Sequence, residues 1–282
     1  MKKARPINKF LRNYRVPSSN RVPAITRISP IQLFAFPTSP YAMKVGCYLA
    51  FLKLEYQFVG VSPVTFQQIK FTGRRQVPVL KIADEWKLDS QEIGFWLEDT
   101  FPGSKLLGDC ATDRAEIIRL DNWVSENLIP AMFRVVVDWP TISTGFSNGW
   151  KLAHVVNQVT PIPRWVQLLW PLLLRKAKFI VALMDNIDRS KSLQQSQDKI
   201  ICDFIELLDN GPFLGGRNSP SLADLSAFAI IVFPYRFDLR GDANWVDNHL
   251  VIAWITAMQR HLPDNPFLVD SRYLPRAIPG PG

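Results

Sequence analysis

The sequence predicts two joined units, an α/β domain with a thioredoxin-like sheet followed by an all-helical domain. Three observations carry this reading. Between residues 31 and 101, short runs of strand-forming residues alternate with segments of helical periodicity. Beyond residue 104 every long periodic segment is helical. The length, 282 residues, suits one large or two ordinary domains.

Residues 31–36, IQLFAF, read as a first strand, ended by Pro37 and Thr38. From 40 to 52, Val45, Leu49 and Leu52 recur at helical spacing, with Ser39 placed as N-cap and Pro40 in the first turn. Residues 55–61 alternate as a second strand, and a strand–helix–strand order implies a parallel pair. Residues 77–82 and 85–89 read as a hairpin turning at Asp84, and residues 90–101 as a helix stopped by Pro102-Gly103. The expected division is a basic, disordered arm (1–30), a thioredoxin-like domain (31–104), a linker (105–112), an all-helical domain (113–270) and a loose tail (271–282).

In the helical part, Ile117, Leu120, Trp123 and Val124 share a face. Residues 138–163, rich in Ser, Thr, Gly, Asn and Pro, read as an irregular connection. A helix carrying Leu193, Ile200, Phe204, Ile205 and Leu208 is closed by Asn210-Gly211-Pro212. Residues 221–233 are apolar nearly all round, as expected of a central core helix, and Ser221 with Asp224 has capping-box spacing. A last helix runs from about 249 to 261.

Apolar residues at 47% and charged residues at 21% exclude a disordered chain. Three cysteines without a close pair exclude a disulfide scaffold and a CxxC motif. They favour a reducing, cytoplasmic setting. Cys47 and Cys202 are expected to be buried and inert. His154, His249 and His261 lack ligand spacing, and no metal is expected. The net charge of +8 is carried by residues 1–30, which hold eight bases and no acid; the remainder has 25 bases and 25 acids. A neutral body argues against nucleic acid as a partner. The arm has no apolar core for a signal peptide, and its four prolines oppose a long amphipathic helix.

The segments FAFPTSPYAMKVGCYLAFL (34–52), RRQVPVL (74–80), LDSQEIGFWLED (88–99) and FLGGRNSPSLADLSAFA (213–229) together resemble the soluble glutathione transferase superfamily. Within it, the stretches around 61–80 and 212–229 are most similar to the type 2 microsomal prostaglandin E synthase group. That group carries Cys-Pro-x-Cys where this chain has Ser39-Pro40-Tyr41-Ala42, so glutaredoxin-like disulfide chemistry has no thiol to use here. The resemblance implies glutathione as co-substrate, a small hydrophobic electrophile as second substrate, and a homodimer. A glutathione-dependent isomerase and a non-catalytic glutathione-transferase-like binding module are the alternatives.

The candidate chemistry starts at Ser39. Conjugation needs the thiolate, and a free thiol with a pKa near 8.5 is acidified at a helix N-terminus. The Ser39 hydroxyl is placed to donate to the sulfur, with the Tyr41 and Ala42 amides adding positive potential. Serine is also a common cap, so Ser39 either activates the thiol or only closes the helix. The resemblance implies that Pro78 is cis and that Val77 offers its backbone to the cysteinyl part of glutathione. Asp89-Ser90 suits the γ-glutamyl carboxylate and amine at a helix N-terminus, or a capping box with Glu92. Arg74 and Arg75 lie just before the Val-Pro pair, and Arg75 is the candidate for the glycyl carboxylate. Tyr41, Trp123, Asn127 and Met132 are candidate walls of the electrophile site.

Residues 165–174, WVQLLWPLLL, followed by Arg175, Lys176 and Lys178, stand apart. They are too short to span a bilayer. They read either as part of a buried helix pair or as a surface for peripheral membrane contact, the first being favoured.

Overall fold

The computed structural model describes residues 30–278 except 102, 140, 186, 189 and 242–244; the basic arm before Pro30 and the last four residues lie outside that range. The strands are β1 (Ile31–Ala35), β2 (Gln57–Gly60), β3 (Val79–Ile82) and β4 (Glu85–Leu88), in the sheet order β2-β1-β3-β4. β1 and β2 pair in parallel, whereas β1–β3 and β3–β4 are antiparallel. Helix α1 (Pro40–Phe51) crosses over between β1 and β2, and α2 (Ser90–Thr100) follows β4. A 3₁₀ turn at Gln67–Thr72 adds Ile69 to a small cluster with Phe34, Val61 and Val79. Leu33 and Ala35 join the main core with α1 and α2, the alternation a strand covered on both faces requires.

The helical part begins with α3 (Ala111–Trp123), two residues before the expected boundary. A π-helical turn at Val124–Leu128 leads into α4 (Ile129–Val137). Then come α5 (Ile142–Val159), α6 (Arg164–Arg175), α7 (Lys178–Met184), α8 (Leu193–Leu207), α9 (Leu222–Arg236) and α10 (His249–Gln259). Helix α9 is buried from Leu222 to Pro234 and packs along α1. It is the shared core of the sheet domain and the helices. At Gly94 of α2 a Cβ would lie 2.5 Å from Leu222 Cδ1, so the side-chain-free position lets α2 approach the start of α9.

The cap of α9 is closed by Asp224. Its carboxylate accepts from the Ser221 amide (2.9 Å), the Ser221 hydroxyl (2.9 Å), the Leu214 amide (2.9 Å) and Trp254 Nε1 (3.1 Å). Burial pushes the Asp224 carboxyl above the usual range, and these four donors oppose that.

Four expectations need correction. Residues 138–163 are not irregular, since α5 fills most of them. The composition misled because small residues serve close packing: a Cβ at Gly149 would lie 2.6 Å from Pro171 Cγ of α6. The tail is not loose over its described part: Leu274 is buried, and Arg276 pairs with Asp238 at 2.5 Å. Cys202 is exposed on the outer side of α8, whereas Cys47 is buried as expected. Helix α6 is not a buried helix, because five of its large apolar side chains face solvent.

Candidate functional site

Three loops meet at one end of the sheet, and the strand register shows why. Phe34 of β1 lies opposite Val79 of β3, and Val79 lies opposite Leu88 of β4. The chain leaving β1 toward Ser39, the chain entering β3 through Val77-Pro78, and the chain leaving β4 into Asp89-Ser90 therefore emerge side by side. Helix N-termini of α1 and α2 open onto the same edge, each with first-turn amides that have no carbonyl of their own helix to bond.

Ser39 is the N-cap of α1, half-buried, with φ −77° and ψ 124°. Its Oγ accepts from the Ala42 amide at 3.4 Å, and its own amide donates to Phe36 O at 3.1 Å. Because Oγ is the acceptor in this bond, capping the helix does not use the hydroxyl proton. Pro40 follows at the first helical position, where its fixed φ suits the helix. The Val77–Pro78 peptide bond is cis.

Asp89 is the N-cap of α2, and its Oδ1 accepts from the Gln91 amide (2.9 Å) and the Glu92 amide (3.4 Å). The return bond from Glu92 that a capping box requires is absent between these two described residues. Asp89 is exposed and Ser90 is buried. Burial, then the Asp89 charge, pushes the Tyr41 phenol up to about 12. Tyr41 is thus a neutral donor, not a base, at any physiological pH.

Arg74 and Arg75 are both exposed. The Arg75 guanidinium lies over the Phe66 ring at 5.9 Å, and Phe66 meets Phe36 edge-on at 5.8 Å. That contact holds Arg75 toward the β1–α1 loop. The Arg74 amide instead closes a turn on Thr72 Oγ1.

The apolar residues gathered beside Pro40 differ from the expected electrophile wall. A narrow crevice beside Pro40 is lined by Thr38, Met43, Phe133, Ile230 and Phe233. None of Tyr41, Trp123, Asn127 and Met132 lines it; Met132 is fully packed in the core, and Asn127 is exposed and donates to Trp123 O.

Sequence reasoning missed a buried polar network beneath these loops. Lys44 Nζ lies 2.9 Å from Asp121 Oδ1, and both side chains are 0% exposed. Lys44 also donates to Ser125 Oγ at 3.0 Å. Asp121 accepts from Ser226 Oγ (2.5 Å) and Gln91 Nε2 (3.0 Å), and Ser226 bonds the Tyr48 hydroxyl at 2.7 Å. The network ties α1, α2, α3 and α9 together, and Gln91 carries it to the residue after Ser90. A lysine on the apolar face of α1, at the i+4 position from Pro40 and i−4 from Tyr48, was the sequence signal.

The comparisons with known proteins agree with this fold. Residues 33–105 match the family model for the glutathione S-transferase N-terminal domain. A glutathione S-transferase from Rhodospirillum rubrum F11 superposes with a TM-score of 0.56 at 19% identity, covering 86% of this chain and 98% of that one. The fold is that of the glutathione transferases. Prostaglandin E synthase 2 of Danio rerio is 23% identical over 272 residues, covering 82% of this chain and 70% of its own length. Its counterpart in Mus musculus is 25% identical over 243 residues, covering 71% of this chain and 62% of its own. The chain thus spans under two thirds of the mouse relative. The chain resembles the glutathione transferase superfamily, and among the described residues no helix is long and apolar enough to cross a membrane.

Proposed function

We propose that this chain is a glutathione transferase-like enzyme that ionises the glutathione thiol at the N-terminus of α1. The observation that carries the reading is the shared register row Phe34–Val79–Leu88, which brings Ser39, Val77-Pro78 and Asp89-Ser90 to one edge. In this reading the γ-glutamyl carboxylate caps α2 beside Ser90, and its ammonium pairs with Asp89. The cysteinyl backbone bonds Val77, in strand fashion. The glycyl carboxylate meets Arg75, and Tyr41 lines the groove as a neutral donor.

The thiolate is then held by the Ser39 hydroxyl and the first-turn amides of α1, which stabilise the anion more than the neutral thiol. It attacks an electrophilic carbon of a hydrophobic substrate. The S–C bond forms, and the displaced pair leaves with its group or returns to carbon with a proton from water. The electrophile approaches along the face where Phe133 and Phe233 border Pro40; the crevice between them, about 10 Å³, admits no more than a water. The active species in this reading is a cytoplasmic homodimer.

A second reading, a glutathione-dependent isomerase, is favoured by the likeness to two proteins named prostaglandin E synthase 2. Conjugation consumes one glutathione per turnover, whereas isomerisation returns it. Measuring free thiol alongside product therefore separates the two. If calorimetry detects no glutathione binding at millimolar concentration, both fail and the alternative left standing is a non-catalytic glutathione-transferase-like binding module.

A further inference from the structure

Helix α6 presents apolar side chains to solvent on a continuous stripe. Trp165, Leu168, Leu169, Leu172 and Leu173 follow the spacing i, i+3, i+4, i+7, i+8 and are between 41% and 64% exposed. The opposite side of the helix is used for packing, with Val166 and Pro171 buried against the fold. Trp150 of α5, itself exposed, donates from Nε1 to Leu168 O at 3.1 Å and extends the patch. A soluble chain leaves so large a contiguous apolar surface open mainly where something else covers it.

The charge around the stripe says what kind of surface that is. From residue 139 to residue 184 the sequence holds five bases and no acid. One of them, Lys151, is paired with Asp238. Arg164, Arg175 and Lys176 are exposed at the two ends of the stripe, and Arg175 stacks over the Trp139 ring at 4.5 Å. The acids that bracket the segment are Asp138, paired with Arg134, and Asp185 beyond α7. Residues 1–30 add eight more bases of the same sign. A second copy of the chain docked here about a two-fold axis would bring like charges together. A phospholipid surface with anionic headgroups offers the complementary pairing: an apolar boundary for Trp and Leu, and phosphates and carboxylates for the flanking arginines and lysine.

We propose that the outer stripe of α6, with its flanking bases, is a docking surface for an anionic lipid bilayer. The helix lies in the interface plane, inserting Trp165, Leu169 and Leu172 below the headgroups. The basic arm supplies added attraction. The placement brings a hydrophobic substrate partitioned into the bilayer close to the protein, but the surface is independent of whether the glutathione reading holds.

The test is flotation of the full chain with vesicles of phosphatidylcholine alone and with about 30% phosphatidylserine. The wild-type chain is expected to float with the anionic vesicles and to release as salt rises from about 0.1 M to 0.5 M. L169Q/L172Q changes two exposed positions, so its thermal melt should match the wild type while vesicle partitioning falls about tenfold or more. R175E/K176E should lose binding to the anionic vesicles specifically. The proposal is overturned if wild-type chain stays at the bottom with both vesicles, or if L169Q/L172Q floats as well as wild type, which would assign binding to the arm alone. It is equally overturned if sedimentation shows a dimer that L169Q/L172Q dissociates while no vesicle is bound.

Discussion

Asp89 holds φ 70° and ψ 129°, a conformation L residues rarely adopt, and it costs about 1–3 kcal/mol. Two amides of α2 donating to its carboxylate keep it there. The two roles open to this side chain, capping and pairing with an ammonium, predict different variants. Asp89→Asn keeps the accepting oxygen and loses the charge; its urea midpoint should stay near wild type while the glutathione Kd rises about tenfold or more. Asp89→Gly relieves the backbone and deletes the cap, so stability should move by no more than about 1 kcal/mol as the two effects offset, with the same loss of affinity. Unchanged affinity in both would confine Asp89 to capping. Ser39→Ala should cost about 0.5–2 kcal/mol as a lost cap. It should also slow conjugation at pH 6.5 by about tenfold or more, while Ser39→Cys, which restores a donor, should keep measurable rate.

The elements are held in register by the ion pair under the site. Lys44 of α1 and Asp121 of α3 have no solvent to fall back on, since both are fully buried. Removing one charge strands the other. Asp121→Ala should therefore lower the unfolding free energy by about 3–5 kcal/mol, read by urea denaturation. Replacing both as K44M/D121L should recover much of that stability, because an apolar pair carries no desolvation penalty. If the double variant also loosens α2 through Gln91, glutathione affinity will fall although the fold is stable. This pair also marks the limit of what a sequence discloses. The sheet, α1, α2 and α9 were legible because their apolar spacing and caps are local. Lys44 announced a buried partner without saying which acid 77 positions later would supply it. Helix α5 was illegible because Gly149 and Asn148 answer to long-range partners: Pro171 in one case, the backbone of Arg240 in the other. Of the candidate site, Ser39, Val77-Pro78 and Asp89-Ser90 were visible as motifs. The crevice residues Phe133, Ile230 and Phe233 were not, since only the packing of α4 and α9 beside Pro40 assembles them.

Across the whole molecule, Asp238 clasps the end of the chain to the helical body. Lys151 of α5 donates to its Oδ2 at 2.8 Å, and Arg276 reaches its Oδ1 at 2.5 Å. The Lys151 hydrogen bond, then the Lys151, Arg276 and Arg240 charges, hold the Asp238 carboxyl below the usual carboxylate range. A depressed pKa stabilises above the unfolded value, near 4, and that contribution is lost as pH falls through the folded value. Residues 271–278 should therefore gain amide exchange and protease sensitivity as pH drops below about 4, before the sheet opens. Asp238→Asn should show that loosening already at pH 7 and lose the acid dependence. A tail equally protected at pH 3 and pH 7 in wild type would contradict the clasp.

All of the proposed chemistry depends on a lowered thiol pKa for glutathione seated at the α1 N-terminus. Ultraviolet difference titration of the enzyme–glutathione complex measures it directly through thiolate absorbance. The account predicts an apparent pKa at least about 1.5 units below that of a free thiol near 8.5, rising back toward it in Ser39→Ala. A bound thiol that titrates as it does in buffer, or one unmoved by Ser39→Ala, would contradict it.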